Sequence, residues 1–303
     1  MAVDLNNSLV VGVSTRTLFD LTVENEIFEK QGLEAYCRYQ IEHEEEILRP
    51  GPGFALVRAL LAINELTGQK ERVEVIIMSH NNADTSVRFF RSIAYYGLHI
   101  TRAVFSGGSP LTPYLNAFKT DLFLSANEAD VQQAVDSGIA AGIICTNAEY
   151  GYDADTCLDQ IRIAFDGDAV LFSDESEEIF KRDGLEAFEA NEKREARLPL
   201  AEGPFAKFLK TVAALQQEFK GEKVPIRTAL VTARCAPAHE RVVRTLREWN
   251  VRIDESFFLG GVSKQDILLA FGAHIFFDDQ EIHTVKAAKV VPAARVPGRR
   301  RAG

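Results

Sequence analysis

The chain has 303 residues, of which 46% are hydrophobic and 26% charged, and its formal net charge is −10. This balance is typical of a globular protein and excludes a disordered, collagen-like or low-complexity chain. The negative charge disfavours nucleic acid and anionic lipid as partners, so a small anionic substrate would need a local positive site or a metal ion.

Neither the cysteines nor the apolar segments indicate a secreted or membrane-spanning protein. The four cysteines lack C-x-x-C spacing and a histidine cluster, so we interpret them as scattered reduced thiols: Cys37, Cys145, Cys157 and Cys235. No apolar run reaches the length of about 18 residues that a membrane-spanning helix needs. The N-terminal apolar stretch is too short for a signal peptide. We therefore expect a cytoplasmic protein with no nucleic-acid or membrane partner.

Short apolar strands alternate with amphipathic helices along the chain, which predicts an α/β fold with doubly wound parallel sheets. The predicted strands of the first half are 9–13, 73–78, 103–105 and 121–124. Those of the second half are 161–165, 227–231, 256–259 and 274–277. The segment 147–159 is polar and rich in Gly and Asp, as a linker would be. It predicts two lobes, residues 1–150 and 151–303.

The sequence of the first half recurs in the second. The pattern of residues 26–35 returns 152 residues later at 178–187, and that of 105–108 returns 153 residues later at 258–261. Two unrelated α/β domains can share hydrophobic periodicities by chance. They would not show matching segments at a nearly constant offset over most of their length. We therefore infer a tandem duplication.

Polar and charged side chains follow the predicted strands of the second half. Asp166 and Asp168 follow the first strand, Thr232, Ala233 and Arg234 end or follow the second, Lys264 follows the third, and Asp278 and Asp279 follow the fourth. Ligands of open α/β sheets bind beyond the carboxyl ends of the strands, so we expect these side chains to converge. Oxygen ligands without His or Cys favour Mg²⁺, and Lys and Thr are suited to phosphate oxygens. Ala233 and Arg234 are predicted to contact the substrate phosphate.

This set resembles the haloacid dehalogenase-like phosphohydrolase superfamily, which carries a DxDxV motif, a strand-end Thr, a lone Lys and paired Asp residues in this order. The resemblance to one member family, the cytosolic 5′-nucleotidases of type I, extends over nearly the whole chain. It rests on the segments GVSTRTLFDL, FLSANEADVQ, FDGDAVLFSDESE, GPFAKFLK, TALVTARCAPAHERVVRTLR, FFLGG and IFFDDQ. It implies Mg²⁺-dependent hydrolysis of nucleoside 5′-monophosphates, preferably AMP, in the cytoplasm.

The resemblance also implies a role for each catalytic residue. Asp166 would attack phosphorus and form an aspartyl-phosphate. Asp168 would protonate the departing 5′-oxygen and then deprotonate the hydrolytic water. Thr232 and Lys264 would hold the phosphoryl oxygens.

The implied Mg²⁺ ligands are Asp166, the backbone carbonyl of Asp168, and Asp278 or Asp279. The sequence leaves open which member of that last pair touches the metal. A homo-oligomer, such as a tetramer, would also fit the family.

The first half has lost every member of this set. The offsets match Asp166 with Ser14, Asp168 with Arg16, Thr232 with Met78, Lys264 with Leu111, and Asp278-Asp279 with Ser125-Ala126. We therefore predict that the first lobe is catalytically dead. It serves either as a scaffold or as an effector site whose cleft, lined by Ser14, Arg16, His80 and Asn81, binds a nucleotide. Arg16 is the main reason for the second view, because a cation in place of a carboxylate favours an anion.

The segment 174–204 interrupts the alternation of strands and helices and contains the helical pattern 177–192. Superfamily members often insert a small cap here, so we predict a helical cap in the second lobe. An ordinary surface helix is the alternative.

Two other functions stay open at this point. One is a phosphatase of the same mechanism that acts on another phosphomonoester, such as a sugar phosphate. The other is a regulatory protein that binds nucleotides. A nicotinamide enzyme is excluded, because no GxGxxG follows the first strand.

Overall fold

The computed structural model describes residues 5–68, 71–145, 160–219 and 224–300. The predicted boundary between the lobes, 147–159, lies outside these residues. Cys37, Cys145 and Cys235 are free thiols, and Cys157 also lies outside the described part.

Ten strands form one sheet in the described part of the chain. They are β1 Leu9–Val13, β2 Val73–Ser79, β3 Arg102–Phe105, β4 Leu122–Ser125, β5 Ala140–Ile144, β6 Ile161–Phe165, β7 Ile226–Thr232, β8 Glu255–Phe258, β9 Ile275–Asp278 and β10 Ala293–Arg295. All eight predicted strands are present, with ends within one residue of the prediction. The short strands β5 and β10 were not predicted. The α/β, doubly wound interpretation is confirmed.

The helices pack on both faces of this sheet. They are α1 Thr15–Leu18, α2 Thr22–Gln31, α3 Leu33–Glu42, α4 Phe54–Thr67, α5 Ser86–Tyr95, α6 Thr112–Ala117, α7 Glu128–Asp136, α8 Glu175–Arg194, α9 Ala206–Glu218, α10 His239–Glu248, α11 Lys264–Phe271 and α12 Glu281–Ala287. Strands β1 and β7 are buried almost throughout, as expected for central strands covered on both faces. One apolar core runs under both halves on one face, and each half has its own smaller core on the other.

The strand order is the same in the two halves. The order of strands in the sheet is β3-β2-β1-β4-β5-β10-β9-β6-β7-β8. Counted outward from the junction of the halves, the first half has β5-β4-β1-β2-β3 and the second has the equivalent strands β10-β9-β6-β7-β8. Neighbouring strands are parallel, except that β5 and β10 pair antiparallel where the halves meet. This equivalence supports the inferred duplication. Because the two halves run in opposite directions, their carboxyl ends lie on opposite edges of the sheet.

The helical segment predicted as a cap occurs in both halves. Helix α8 is interrupted at Gly184, where φ is 83°, and α2 and α3 are separated by Gly32, where φ is also 83°. A positive φ is accessible to glycine without strain, so the same kink is built twice. The segment therefore belongs to the repeated unit and is not an insertion confined to the second half.

Candidate active site

The carboxyl end of β6 leads into a tight turn that carries two carboxylates. Gly167–Leu171 forms a single wide turn in which Asp168 and Ala169 have non-helical backbone angles, with a φ of 57° at Ala169. Asp166 is anchored at the base of the turn, because its backbone N–H donates to the carbonyl of Phe277 at 2.8 Å. This turn fixes Asp166 and Asp168 on the edge of the sheet formed by the carboxyl ends of β6, β7 and β9.

Lys264 joins two of the predicted carboxylates. Its Nζ lies 2.9 Å from Oδ1 of Asp166 and 2.6 Å from Oδ2 of Asp278. All three side chains are buried. The other oxygen of Asp278 accepts the backbone N–H of Gln280 at 2.9 Å, and Nδ1 of His283 lies 3.2 Å from Oδ2. Burial opposes ionisation of Asp278, but His283 and Lys264 outweigh it and hold the pKa of this carboxyl below its ordinary value.

Asp279 has no such partner. Its Oδ1 is buried and accepts no hydrogen bond within the described residues. Carboxylate oxygens of Asp166, Asp278 and Asp279 lie within 4.8 Å of one another. Burial is the main cause that raises the pKa of Asp279 to about 7, and the charges of Asp166, Glu177 and Asp278 add to it. This group of three carboxylates can hold a metal ion.

The pKa of Asp166 is also raised. Burial raises its pKa to about 7, with Asp278 adding to the shift and Lys264 opposing it. One ammonium group among three close carboxylates leaves an excess of negative charge. A buried excess of this kind is stable when a proton or a cation compensates it.

Asp168 has a different partner. Its two oxygens accept a fork from Arg234, at 2.8 Å from Nε and 2.6 Å from Nη2. The side chain of Asp168 is therefore paired with Arg234, and its charge still contributes to the raised pKa of Asp166. Arg234, predicted to contact phosphate, is instead engaged with carboxylates.

Thr232 lies at the end of β7, as predicted. Its Oγ1 accepts the backbone N–H of Arg234 at 3.2 Å, which fixes the loop formed by Ala233 and Arg234. In the first half, Oγ of Ser79 accepts the N–H of Asn81 at the same distance, 3.2 Å. The residue equivalent to Thr232 is therefore Ser79 and not Met78. The sequence match was wrong by one residue, since β2 and β7 correspond at an offset of 153 residues along their whole length.

The residues predicted for an effector cleft lie at the carboxyl ends of β1 and β2, on the opposite edge of the sheet. Three of them have partners. Ser14 caps α1, His80 pairs with Asp130 at 2.8 Å, and Asn81 donates to the hydroxyl of Tyr36 at 2.8 Å. Arg16 forms no ion pair or hydrogen bond with any part of the chain that the structure describes.

A sequence model of the 5′-nucleotidase family matches residues 1–302. The chain belongs to the 5′-nucleotidase family. It is 40% identical over 294 residues to human cytosolic 5′-nucleotidase 1B, and the match covers 94% of this chain and 48% of that relative. The chain thus spans about half the length of the curated relative it matches. The resemblance that the motifs indicated is confirmed, and a 5′-nucleotidase is a hydrolytic enzyme.

Among the described residues, no helix has the length and apolar character needed to cross a membrane.

One glycine supports the turn that carries Asp168. A Cβ on Gly203 would lie 2.3 Å from the carbonyl oxygen of Phe172 and 2.6 Å from that of Val170. Both contacts are with backbone, which cannot rotate away. We expect Gly203→Ala to lower the free energy of unfolding by about 3 kcal/mol and to reduce turnover by displacing Asp168. Urea unfolding and initial rates of the remaining folded enzyme measure the two effects.

Gly51 provides the matched control in the first half. A Cβ there would lie 2.7 Å from the backbone of Phe19. Gly51→Ala should destabilise the protein but leave turnover per folded molecule unchanged. Equal losses of turnover in the two variants would contradict a local role of Gly203 in holding Asp168.

Proposed function

We propose that this chain hydrolyses nucleoside 5′-monophosphates, with AMP favoured, to a nucleoside and inorganic phosphate in a Mg²⁺-dependent reaction. The observation that carries the proposal is the group of three close carboxylates, Asp166, Asp278 and Asp279, of which Lys264 contacts the first two, in a member of the 5′-nucleotidase family. The word "cytosolic" in the name of the human relative supports the proposal of a cytoplasmic location.

The donor atoms at this edge fit Mg²⁺. They are all oxygens, and one of them, Oδ1 of Asp279, is buried without a partner among the described residues. Both oxygens of Asp278 are engaged by Lys264, His283 and the N–H of Gln280. We therefore assign Asp166 and Asp279 as direct ligands, with the backbone carbonyl of Asp168, and Asp278 as the residue that orients Lys264. When bound, Mg²⁺ would neutralise these carboxylates and polarise a phosphoryl oxygen.

The first chemical step uses Asp166 as the nucleophile. A carboxylate oxygen of Asp166 forms a bond to phosphorus, and the bond from phosphorus to the 5′-oxygen breaks. The electron pair stays on the 5′-oxygen, which takes the proton of Asp168. Lys264 holds Oδ1 of Asp166 and so fixes the orientation of the attacking carboxylate.

The second step returns the enzyme to its starting state. Asp168 accepts a proton from water, whose oxygen attacks phosphorus, and the bond between phosphorus and Asp166 breaks. Thr232 and Lys264 donate to the phosphoryl oxygens as their charge redistributes in both steps.

The cleft of the first half supports a second proposal, that of a nucleotide effector site. The supporting observation is Arg16, a cation without an ion-pair partner among the described residues that stands where the second half has Asp168. Loss of nucleotide binding in Arg16→Ala, with hydrolysis unchanged, is the expected result. Equilibrium dialysis against a labelled nucleoside diphosphate measures it, and unchanged binding would leave the first half as a scaffold.

Phosphate release from a panel of substrates tests the principal proposal. We expect turnover of nucleoside 5′-monophosphates with Mg²⁺, none with EDTA, and none in Asp166→Asn. Asp266 lies exposed on α11, so Asp266→Asn is the matched control and should retain full activity. Turnover of sugar phosphates alone would retain the chemistry and reject the substrate class. No turnover of any phosphomonoester would favour a regulatory nucleotide-binding protein.

A further inference from the structure

Arg234 is a buried guanidinium enclosed on several sides. It is 4% exposed, and its Nε and Nη2 bind the two oxygens of Asp168. Its third nitrogen, Nη1, pairs with Glu192 from α8. The ring of Phe188, also on α8, covers the guanidinium, with 5.3 Å between the guanidinium carbon and the ring centroid. These contacts direct Arg234 at Asp168 and leave it poorly placed to bind a phosphate.

Glu192 is itself held at a fixed position. It is completely buried, and its Oε1 accepts the hydroxyl of Ser176 at 2.9 Å and Nη1 of Arg241 at 2.9 Å. The result is a chain of alternating charges that runs from Asp168 through Arg234 and Glu192 to Arg241. Buried charges are costly unless they are paired with good geometry, so this chain has one favourable arrangement.

The first half serves as an internal comparison for this chain of charges. It retains Arg88 at the position of Arg241, and Arg88 binds Gln40 at 3.1 Å and Glu24 at 2.7 Å. The repeat matches Gln40 with Glu192, since each stands eight residues after the glycine at the kink, and Asn81 with Arg234.

The fold keeps this arginine in both halves, as Arg88 on α5 and Arg241 on α10, together with a buried glutamate that pairs with it, Glu24 in the first half and Glu192 in the second. The two glutamates are not equivalent in the repeat, which matches Glu24 with Ser176 and Gln40 with Glu192. Only Glu192 also pairs with a second arginine, Arg234, which is present only in the half that has Asp168. A purely structural need for Arg234, or for a glutamate at this position, would apply to both copies, so we associate both with the chemistry of Asp168.

We infer that Arg234 and Glu192 are positioning residues that hold Asp168 for proton transfer to the leaving group; this rests on the proposed function. A general acid acts only when its carboxyl lies within hydrogen-bond distance of the departing oxygen. The planar fork of Arg234 fixes both oxygens of Asp168 in one plane, which a lysine ammonium does not do. Glu192 fixes the fork in turn and links it to α8.

The choice of leaving group tests this inference. An alkoxide such as the 5′-oxygen of a nucleoside needs a proton when it leaves, whereas p-nitrophenolate is stable without one. The experiment compares AMP hydrolysis with the pre-steady-state release of p-nitrophenolate from p-nitrophenyl phosphate, in wild type, Arg234→Lys and Glu192→Gln. We expect kcat for AMP to fall about 10²-fold in Arg234→Lys and about 10-fold in Glu192→Gln. The rate of the first p-nitrophenolate release should change by less than about 3-fold.

Glu24→Gln is the matched control, because Glu24 forms an equally buried ion pair with Arg88 in the first half. Glu24→Gln should lower the melting temperature without changing the ratio of the rates measured with AMP and with p-nitrophenyl phosphate. Equal losses on AMP and p-nitrophenyl phosphate in Arg234→Lys would overturn the inference, as would an increase in KM alone, which would assign Arg234 to phosphate binding. If wild type cleaves no nucleotide, the proposed function fails; the same comparison with an alkyl phosphate that it does cleave then decides the role of Arg234.

Discussion

Lys264→Met is expected to lower turnover by about 10³-fold and to destabilise the metal-free protein at neutral pH. The ammonium lies 2.9 Å from Asp166 and 2.6 Å from Asp278, and both carboxylates are buried. Without it, the carboxylates face each other with no compensating charge. Removing one partner of a buried charged pair costs about 3–5 kcal/mol.

The pH dependence of this destabilisation has a definite sign. Loss of the ammonium raises the pKa of Asp166 and Asp278 in the folded protein, because Lys264 is a cause that lowers both. A carboxyl whose pKa is raised on folding favours the folded state at low pH and disfavours it as pH increases. We therefore expect Lys264→Met to approach wild-type stability near about pH 5 and to differ most near about pH 8.

Thermal unfolding of the metal-free proteins at the two pH values measures this effect. Lys289 is exposed, and Lys289→Met is the control for loss of a positive charge as such. A destabilisation of Lys264→Met that is independent of pH would contradict the explanation by charge. It would point instead to lost packing of the lysine stem.

The sequence predicted the single strands better than their assembly. Strand β6, Ile161–Phe165, is apolar except for Arg162 and lies between polar segments, and its bounds were predicted without error. Strands β5, Ala140–Ile144, and β10, Ala293–Arg295, are short and rich in Ala and Gly, which have low intrinsic β propensity. They form through pairing with other strands: β5 pairs with β4, β10 pairs with β9, and β5 and β10 pair with each other. Because the pairing of β5 with β10 is tertiary, the sequence did not indicate that the strands of the two halves join in one sheet.

Gly142 shows how closely β5 and β10 approach each other. A Cβ at this position would lie 2.9 Å from Cβ of Ala294, so the small residues of β5 and β10 allow the strands to approach. In the sequence the same residues weaken the strand signal. The small residues that allow β5 and β10 to pair therefore also made both strands difficult to predict from the sequence.

The candidate site was predictable where its residues come shortly after a strand and not where they lie deep within a helix. Asp166, Asp278 and Lys264 converge as the strand ends required. The sequence did not indicate a role for Glu192, because a glutamate in a helix rich in charged residues is expected to be solvent-exposed. The duplication contained one usable signal, namely that Glu192 and Arg234 are replaced by Gln40 and Asn81 in the copy without Asp168.

Removal of the metal ion is expected to abolish turnover, a loss of more than about 10³-fold, and to lower thermal stability most at high pH. In the metal-free protein the pKa values of Asp166 and Asp279 are raised from 3.8 to about 7, mainly by burial. At a pH between 3.8 and about 7, the folded protein binds protons that the unfolded chain has released. Its free energy of unfolding therefore decreases as pH increases through this range and levels off above it.

Binding of Mg²⁺ should reverse this decrease. The cation needs ionised carboxylates, so its affinity increases with pH, and a concentration of about 100 times Kd stabilises the folded state by about 2.7 kcal/mol. We expect the increase in Tm on addition of Mg²⁺ to be large near about pH 8 and small near about pH 5. Differential scanning calorimetry with Mg²⁺ and with EDTA measures it.

Two substitutions distinguish the ligand from its neighbour. Asp279→Asn removes a half-buried carboxylate whose buried Oδ1 has no hydrogen bond in the described structure. The metal-free variant should therefore melt above wild type near about pH 8 and gain little from Mg²⁺. Asp278→Asn removes the partner of Lys264 and should melt below wild type. If Asp279→Asn instead melts lower and still gains stability from Mg²⁺, the direct ligand is Asp278 and the unpartnered oxygen of Asp279 has another role.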